Sequence, residues 1–149
     1  MTDIVDARTR SRMMSAIRGK DTKPELTVRR GLHRRGLRYG LHDRKLPGSP
    51  DLVCTRHGAV IMINGCFWHK HECPSFHWPD KDAARWREKL EANAERDRRT
   101  VRQLLELGWR VLIVWECSIK GKQGEALSLV LDEVEEFVRS GGDYREISG

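Results

Sequence analysis

The chain has 149 residues, one domain's worth of sequence and enough to bury a core without disulfide staples. Charged residues make up 34% and hydrophobic residues 38%, a globular balance that excludes a disordered polar chain, and every apolar run falls far short of a membrane span. The net charge of +6 is uneven: residues 1–46 carry 13 basic against 5 acidic side chains, and residues 124–149 carry 2 against 7, so a basic front is expected to meet a polyanion.

Residues 1–20 read as a basic arm with a short helix, its apolar side supplied by Met13, Met14 and Ile17. A second helix is expected after Asp21 or Thr22 as cap, with Pro24 and Glu25 in its first turn and Gly36 at its end. Residues 37–41 predict a first strand, and Leu46-Pro47-Gly48-Ser49-Pro50 a turn-rich break. Residues 51–55 and 59–64, joined by Arg56-His57-Gly58, predict a β-hairpin. Its second strand is apolar without alternation, as in a strand covered on both faces.

A loop of unusual composition follows over 65–80. Residues 81–107 predict the longest helix, with Trp86, Leu90, Ala94, Val101 and Leu104 at or near helical spacing and Gly108 as C-terminal cap. Residues 109–115 predict a further core strand, and 124–139 a closing amphipathic helix. This order predicts a small α/β domain with a mixed central sheet flanked by helices.

Nothing apolar heads the chain, so a signal peptide is not expected and a cytoplasmic setting is, where disulfides are disfavoured. The four cysteines are then expected as metal ligands or buried thiols. Cys66, His71 and Cys73 lie within eight residues of one loop, and Cys117 follows a core strand directly. Such a set can close a tetrahedral Cys3His zinc site and staple the loop to the strand; plain burial of Cys117 is the alternative. Cys54, inside a strand, reads as core.

Asp51 opens a strand after Pro50, where it is either a turn residue or a Mg²⁺ ligand, since Mg²⁺ needs few protein oxygens. Asp97 falls on the apolar stripe of the long helix, where it either pairs with an arginine or orients a catalytic histidine or a metal-bound water. Phe67 and Trp68 either plug a core or form a wedge that enters a base stack. His69 fits the zinc set less well than His71 and is free to act as a general base.

Pro47-Gly48-Ser49-Pro50-Asp51, Asn64-Gly65-Cys66-Phe67-Trp68-His69-Lys70-His71-Glu72-Cys73, Asn93-Ala94-Glu95-Arg96-Asp97-Arg98-Arg99 and residues 108–117 together resemble the very-short-patch-repair (Vsr) endonucleases, in that family's order. The resemblance runs from about Ala7 to Cys117. It implies a restriction-endonuclease-like, PD-(D/E)xK-type fold with a structural zinc, preceded by a DNA-binding arm over 1–20, with the endonuclease domain spanning 21–149. It implies a monomeric enzyme that nicks duplex DNA 5′ to the thymine of a T:G mismatch left by deamination of 5-methylcytosine, and that works with other repair proteins.

Residue by residue, the resemblance implies Mg²⁺ on Asp51 and the backbone carbonyl of Ile63, and zinc on Cys66, His71, Cys73 and Cys117. It implies water activation by His69, with Glu25 and Asp97 as acidic groups of the active centre. Phe67, Trp68, Trp86 and Met14 would wedge the DNA, and Lys89 and Asn93 would contact the mismatch. Asn64 stands where some relatives carry a histidine proposed to protonate the leaving group; an amide donates a hydrogen bond but no proton. A nicking enzyme without mismatch specificity and a non-catalytic zinc-containing DNA-binding module are the competing expectations.

Overall fold

A computed structural model describes residues 22–74 and 76–149; the expected arm over 1–20, with Met14, lies outside these residues. Helix α1 (Lys23–Arg34) begins where Thr22 can cap it: its Oγ1 accepts from the Glu25 N–H at 3.4 Å, and Pro24 fits the first turn because no partner is needed there. The strands β1 (Gly40–Leu41), β2 (Leu52–Cys54), β3 (Ala59–Asn64), β4 (Arg110–Trp115) and β5 (Tyr144–Ile147) form one sheet in sequence order. The first three are antiparallel, while β3 with β4 and β4 with β5 run parallel. Helix α2 (Ala83–Glu106) connects β3 to β4, and α3 (Gly124–Ser140) connects β4 to β5.

Alternation along the strands sorts the core onto two faces. Leu52, Ile61, Leu112 and Val114 meet Val28 and Leu32 of α1 and Val134 and Phe137 of α3. Val53, Val60, Val111, Ile113 and Trp115 meet Leu104 of α2 and Cys66 of the loop. The sheet is therefore covered on both sides, as the unbroken apolar run of β3 predicts. Cys54 is fully buried in the first of these clusters.

Three expectations need correction. The first strand shrinks from 37–41 to Gly40–Leu41, because Leu37 is used to close the C-terminus of α1, its N–H donating to the Leu32 carbonyl at 3.0 Å. Strand β5 is not among the expected elements; only Ile147 of it is buried, so its apolar pattern is too weak to read. Asp97 does lie on the inward face of α2 with Leu90, Ala94, Val101 and Leu104, but it is half-buried where full burial is expected: its side chain is 31% exposed.

The basic front and the acidic tail meet. Arg35, just past α1, pairs with Asp132 and with Glu135 at 3.1 Å on α3, and Glu135 also receives Arg139 at 2.8 Å. Hydrogen bonding to Arg139 and Arg35 holds the Glu135 carboxyl below the usual range.

Candidate active site and metal centre

The start of β2 and the ends of β3 and β4 reach the same edge of the sheet, because β2 runs opposite to its neighbours. The chain leaves β3 at Asn64 and turns sharply through the loop, where the His69 N–H donates to Gly65 O and the His71 N–H to Cys66 O at 2.9 Å. Helix α2 then passes in front of this edge. Between them lies an open cleft of about 660 Å³ whose walls include Glu25, Asp51, Asn64, Trp68, His69 and Asp97.

On one wall, Asp51 Oδ2 accepts the Ile63 N–H at 2.7 Å. Burial pushes the Asp51 carboxyl up to about 6; the Ile63 N–H opposes this, the nearby Glu25 charge adds to it and His42 opposes it. Glu25 is 1% exposed and shares its Oε2 with Arg29 Nη1 at 3.2 Å and His42 Nε2 at 2.9 Å. Donor atoms of Glu25, His42 and Asp51 lie within 4.8 Å of one another, so this group can hold a cation. His42 is absent from the sequence-based site. The signal is faint: the antiparallel register of β1 on β2 sets it opposite Asp51, but β1 is only two residues long.

On the opposite wall, His69 Nδ1 lies 2.5 Å from Asp97 Oδ2, and both side chains are about 30% exposed, at 29% and 31%. Of the two readings open for Asp97, the structure has it facing a histidine.

The Cys/His group forms a separate cluster behind the cleft. Ligand atoms of Cys66, His71, Cys73 and Cys117 all lie within 4.8 Å of one another, so the cluster can hold a metal ion. The donor chemistry fits a thiolate-binding metal: burial pushes the Cys66 thiol up to about 12 and holds the His71 imidazole below its ordinary value, so without a cation these two side chains favour their neutral forms. The His71 ring stacks on Trp115, with centroids 4.1 Å apart and planes 8° from parallel. Trp115 in turn donates from Nε1 to Glu146 on β5 at 2.8 Å, and the Gly149 N–H reaches Cys117 Sγ at 3.3 Å. Support for this cluster from Trp115 and the terminal strand has no signal in the sequence.

Phe67, Trp68 and Trp86 form an aromatic group at the cleft rim. Phe67 meets Trp68 edge-on at 5.1 Å and Trp86 at 5.4 Å, and Trp68 and Trp86 lie 5.8 Å apart. All three are half-buried, between the plug and the free wedge expected from sequence. Lys89 Nζ sits 5.6 Å and 5.5 Å from the Trp68 and Trp86 rings. Asn93 Nδ2 donates to the Trp68 carbonyl at 3.1 Å and so holds the loop.

The family described as DNA mismatch endonuclease Vsr matches residues 2–75. DNA mismatch endonuclease Vsr of Escherichia coli (strain K12) is 41% identical over 147 residues, spanning 99% of this chain and 94% of the relative. The type II nicking enzyme V.NmeAIP of Neisseria meningitidis is 39% identical over 140 residues, 93% of this chain and all of the relative, and V.XorIIP of Xanthomonas oryzae is 41% identical over 119 residues, 80% and 88%. With an identity of 41% sustained over nearly its whole length, this chain belongs to the Vsr family of DNA mismatch endonucleases.

Proposed function

We propose that this protein nicks one strand of duplex DNA on the 5′ side of the thymine in a T:G mismatch, the product of 5-methylcytosine deamination, and so starts very short patch repair. The observation that carries the reading is one cleft walled on one side by Glu25 and Asp51 and on the other by a His69–Asp97 pair, with an aromatic rim. On this reading residues 21–149 are a single PD-(D/E)xK-type endonuclease domain and residues 1–20 its DNA-binding arm, with Met14 entering the DNA from the other groove.

The Asp51 carboxylate and the Ile63 carbonyl would hold Mg²⁺, which would supply positive charge against the scissile phosphate. An ionised Asp97 only accepts, so it fixes the His69 proton on Nδ1 and leaves Nε2 to take a proton from the attacking water. Asn64 can donate a hydrogen bond to the leaving 3′-oxygen, which then takes its proton from solvent. Zn²⁺ on Cys66, His71, Cys73 and Cys117 staples the loop to the end of β4. Phe67, Trp68 and Trp86 unstack the bases beside the mismatch, with Lys89 and Asn93 close by. A T:G wobble costs less to deform than a Watson–Crick pair, and this difference supplies selectivity. The enzyme acts as a monomer in the cytoplasm, on nucleoid DNA, alongside other repair proteins.

The test is strand-specific nicking of duplexes with T:G or matched pairs in varied flanks, with and without Mg²⁺, by the wild type and Asp51→Ala. Mg²⁺-dependent nicking at T:G only, abolished in Asp51→Ala while mismatch binding persists, is expected. Equal rates on matched DNA make it a general nicking enzyme. Activity untouched by Asp51→Ala makes the cleft non-catalytic.

A further inference from the structure

We propose that His42 is a positioning residue for the two carboxylates of the cleft, holding Glu25 against Asp51 in the arrangement that receives a divalent cation. This rests on the reading that Asp51 holds that cation. Glu25 and Asp51 come from different elements, the first turn of α1 and the start of β2, and although their carboxyls also share a hydrogen bond, two acidic groups held together need a further contact to fix their separation once both are ionised. His42 touches both. Its Nε2 lies 2.9 Å from Glu25 Oε2 and 3.9 Å from Asp51 Oδ1, and its backbone N–H donates to the Asp51 carbonyl at 3.1 Å.

Two further features favour a dedicated role. His42 adopts a φ of +47°, a left-handed conformation that non-glycine residues rarely take and that clusters at functional sites. Its side chain is 13% exposed, and it faces a Glu25 side chain that is 2% exposed, so its polar ring is largely enclosed against the carboxylates. A carboxylate accepts and does not donate, so the hydrogen bond needs a proton on Nε2, which fixes how the ring presents itself. Arg29 also reaches Glu25 Oε2, at 3.2 Å, but from the same helix one turn on, so this contact does not join α1 to the sheet edge. Partners of this kind orient metal-binding carboxylates, and their loss costs roughly 10–100-fold in metal affinity.

The experiment titrates Mn²⁺, read by its free-ion electron paramagnetic resonance signal, into zinc-loaded wild type, His42→Leu, His42→Gln and Asp51→Ala. Zinc content and melting temperature check the fold. Binding of the T:G duplex without divalent ion checks the DNA surface. His42→Leu is expected to weaken Mn²⁺ binding by about tenfold and to raise the Mg²⁺ concentration for half-maximal nicking in proportion. Mismatch binding should not change. Gln carries an N–H at similar reach, so His42→Gln is expected to restore most of the Mn²⁺ affinity. Wild-type Mn²⁺ affinity in His42→Leu, with binding lost in Asp51→Ala, overturns the role of His42 and leaves the cation reading standing. Equal loss in His42→Leu and His42→Gln overturns the hydrogen-bond role. Undiminished Mn²⁺ binding in Asp51→Ala overturns the cation reading itself, and this proposal with it. If His42→Leu does not fold, His42→Ala, which keeps the backbone bond to Asp51, carries the same comparison.

Discussion

His69 on the loop and Asp97 on α2 lie 28 residues apart in sequence and 2.5 Å apart in space, Nδ1 to Oδ2. The pairing joins loop to helix along one wall of the cleft, so it also fixes where the loop sits against α2. A carboxylate on Nδ1 selects one ring tautomer, which is what a general base working through Nε2 requires. His69→Ala is expected to lower single-turnover nicking by about 10²–10⁴-fold, the usual contribution of a positioned general base. Asp97→Asn should lower it less, with mismatch affinity unchanged in both. Near-normal nicking by His69→Ala removes this histidine from the mechanism.

Asp51 makes stability depend on pH in a stated direction. Its folded value, about 6, lies above the ordinary aspartate value of 3.8, so the folded chain binds this proton more tightly than the unfolded chain. The resulting stabilisation is complete below about pH 4 and is lost as the pH rises through about 6. Wild type is therefore expected to lose stability relative to Asp51→Asn across that window when no divalent ion is added. Mg²⁺ should restore more at about pH 7.5 than at about pH 5, because it needs the ionised carboxylate. Urea midpoints of both proteins across this range are the measurement, and a constant difference between them contradicts the expectation.

Cys117 is the member of the Cys/His cluster that lies next to the sheet, since the other three lie in the loop itself. Purified protein is expected to contain one zinc by elemental analysis. Cys117→Ser should lose the metal and with it the ordered loop, in step with a large drop in melting temperature. Metal-free protein that melts like the wild type would sink the structural role.

Trp68 is expected to matter for discrimination more than for general DNA affinity. Base–aromatic stacking is worth about 1–3 kcal/mol, so Trp68→Ala should lower affinity for the T:G duplex by that amount and change affinity for matched DNA little. Competition binding with the two duplexes reads this directly. Equal losses on both would assign Trp68 to the core and not to a wedge.

Gly48 tests the turn that delivers Asp51. Its φ is +72°, and a Cβ there would stand 2.3 Å from Thr100 Cγ2 on α2. Gly48→Ala is expected to destabilise the protein by about 1–3 kcal/mol through crowding and backbone strain. It should also lower nicking by shifting Asp51 against α2. Chemical denaturation and nicking rates measured together check both.

Local chemistry makes much of this protein legible in its residues alone. Pro24 after Thr22 marks a helix start, and the apolar run over 59–64 marks a strand covered on both faces, because capping and periodicity act over a few residues. The closeness of Cys66, His71 and Cys73 along the chain likewise marks a ligand cluster, since short loops can only fold back on themselves. Relationships across elements are not legible in this way. Strand β5 exists because β4 offers an edge, not because its own residues demand a strand. His42 meets Glu25 and Asp51 only once β1 lies antiparallel to β2 and α1 is laid beside them. Asp97 has the spacing of a core residue, yet it turns to the cleft because His69 is there to receive it. Sequence by itself determined the helices, the buried strands and the kinds of chemistry this chain can carry. Tertiary packing decided which acid faces which histidine, because those distances depend on how the sheet edges and helices meet.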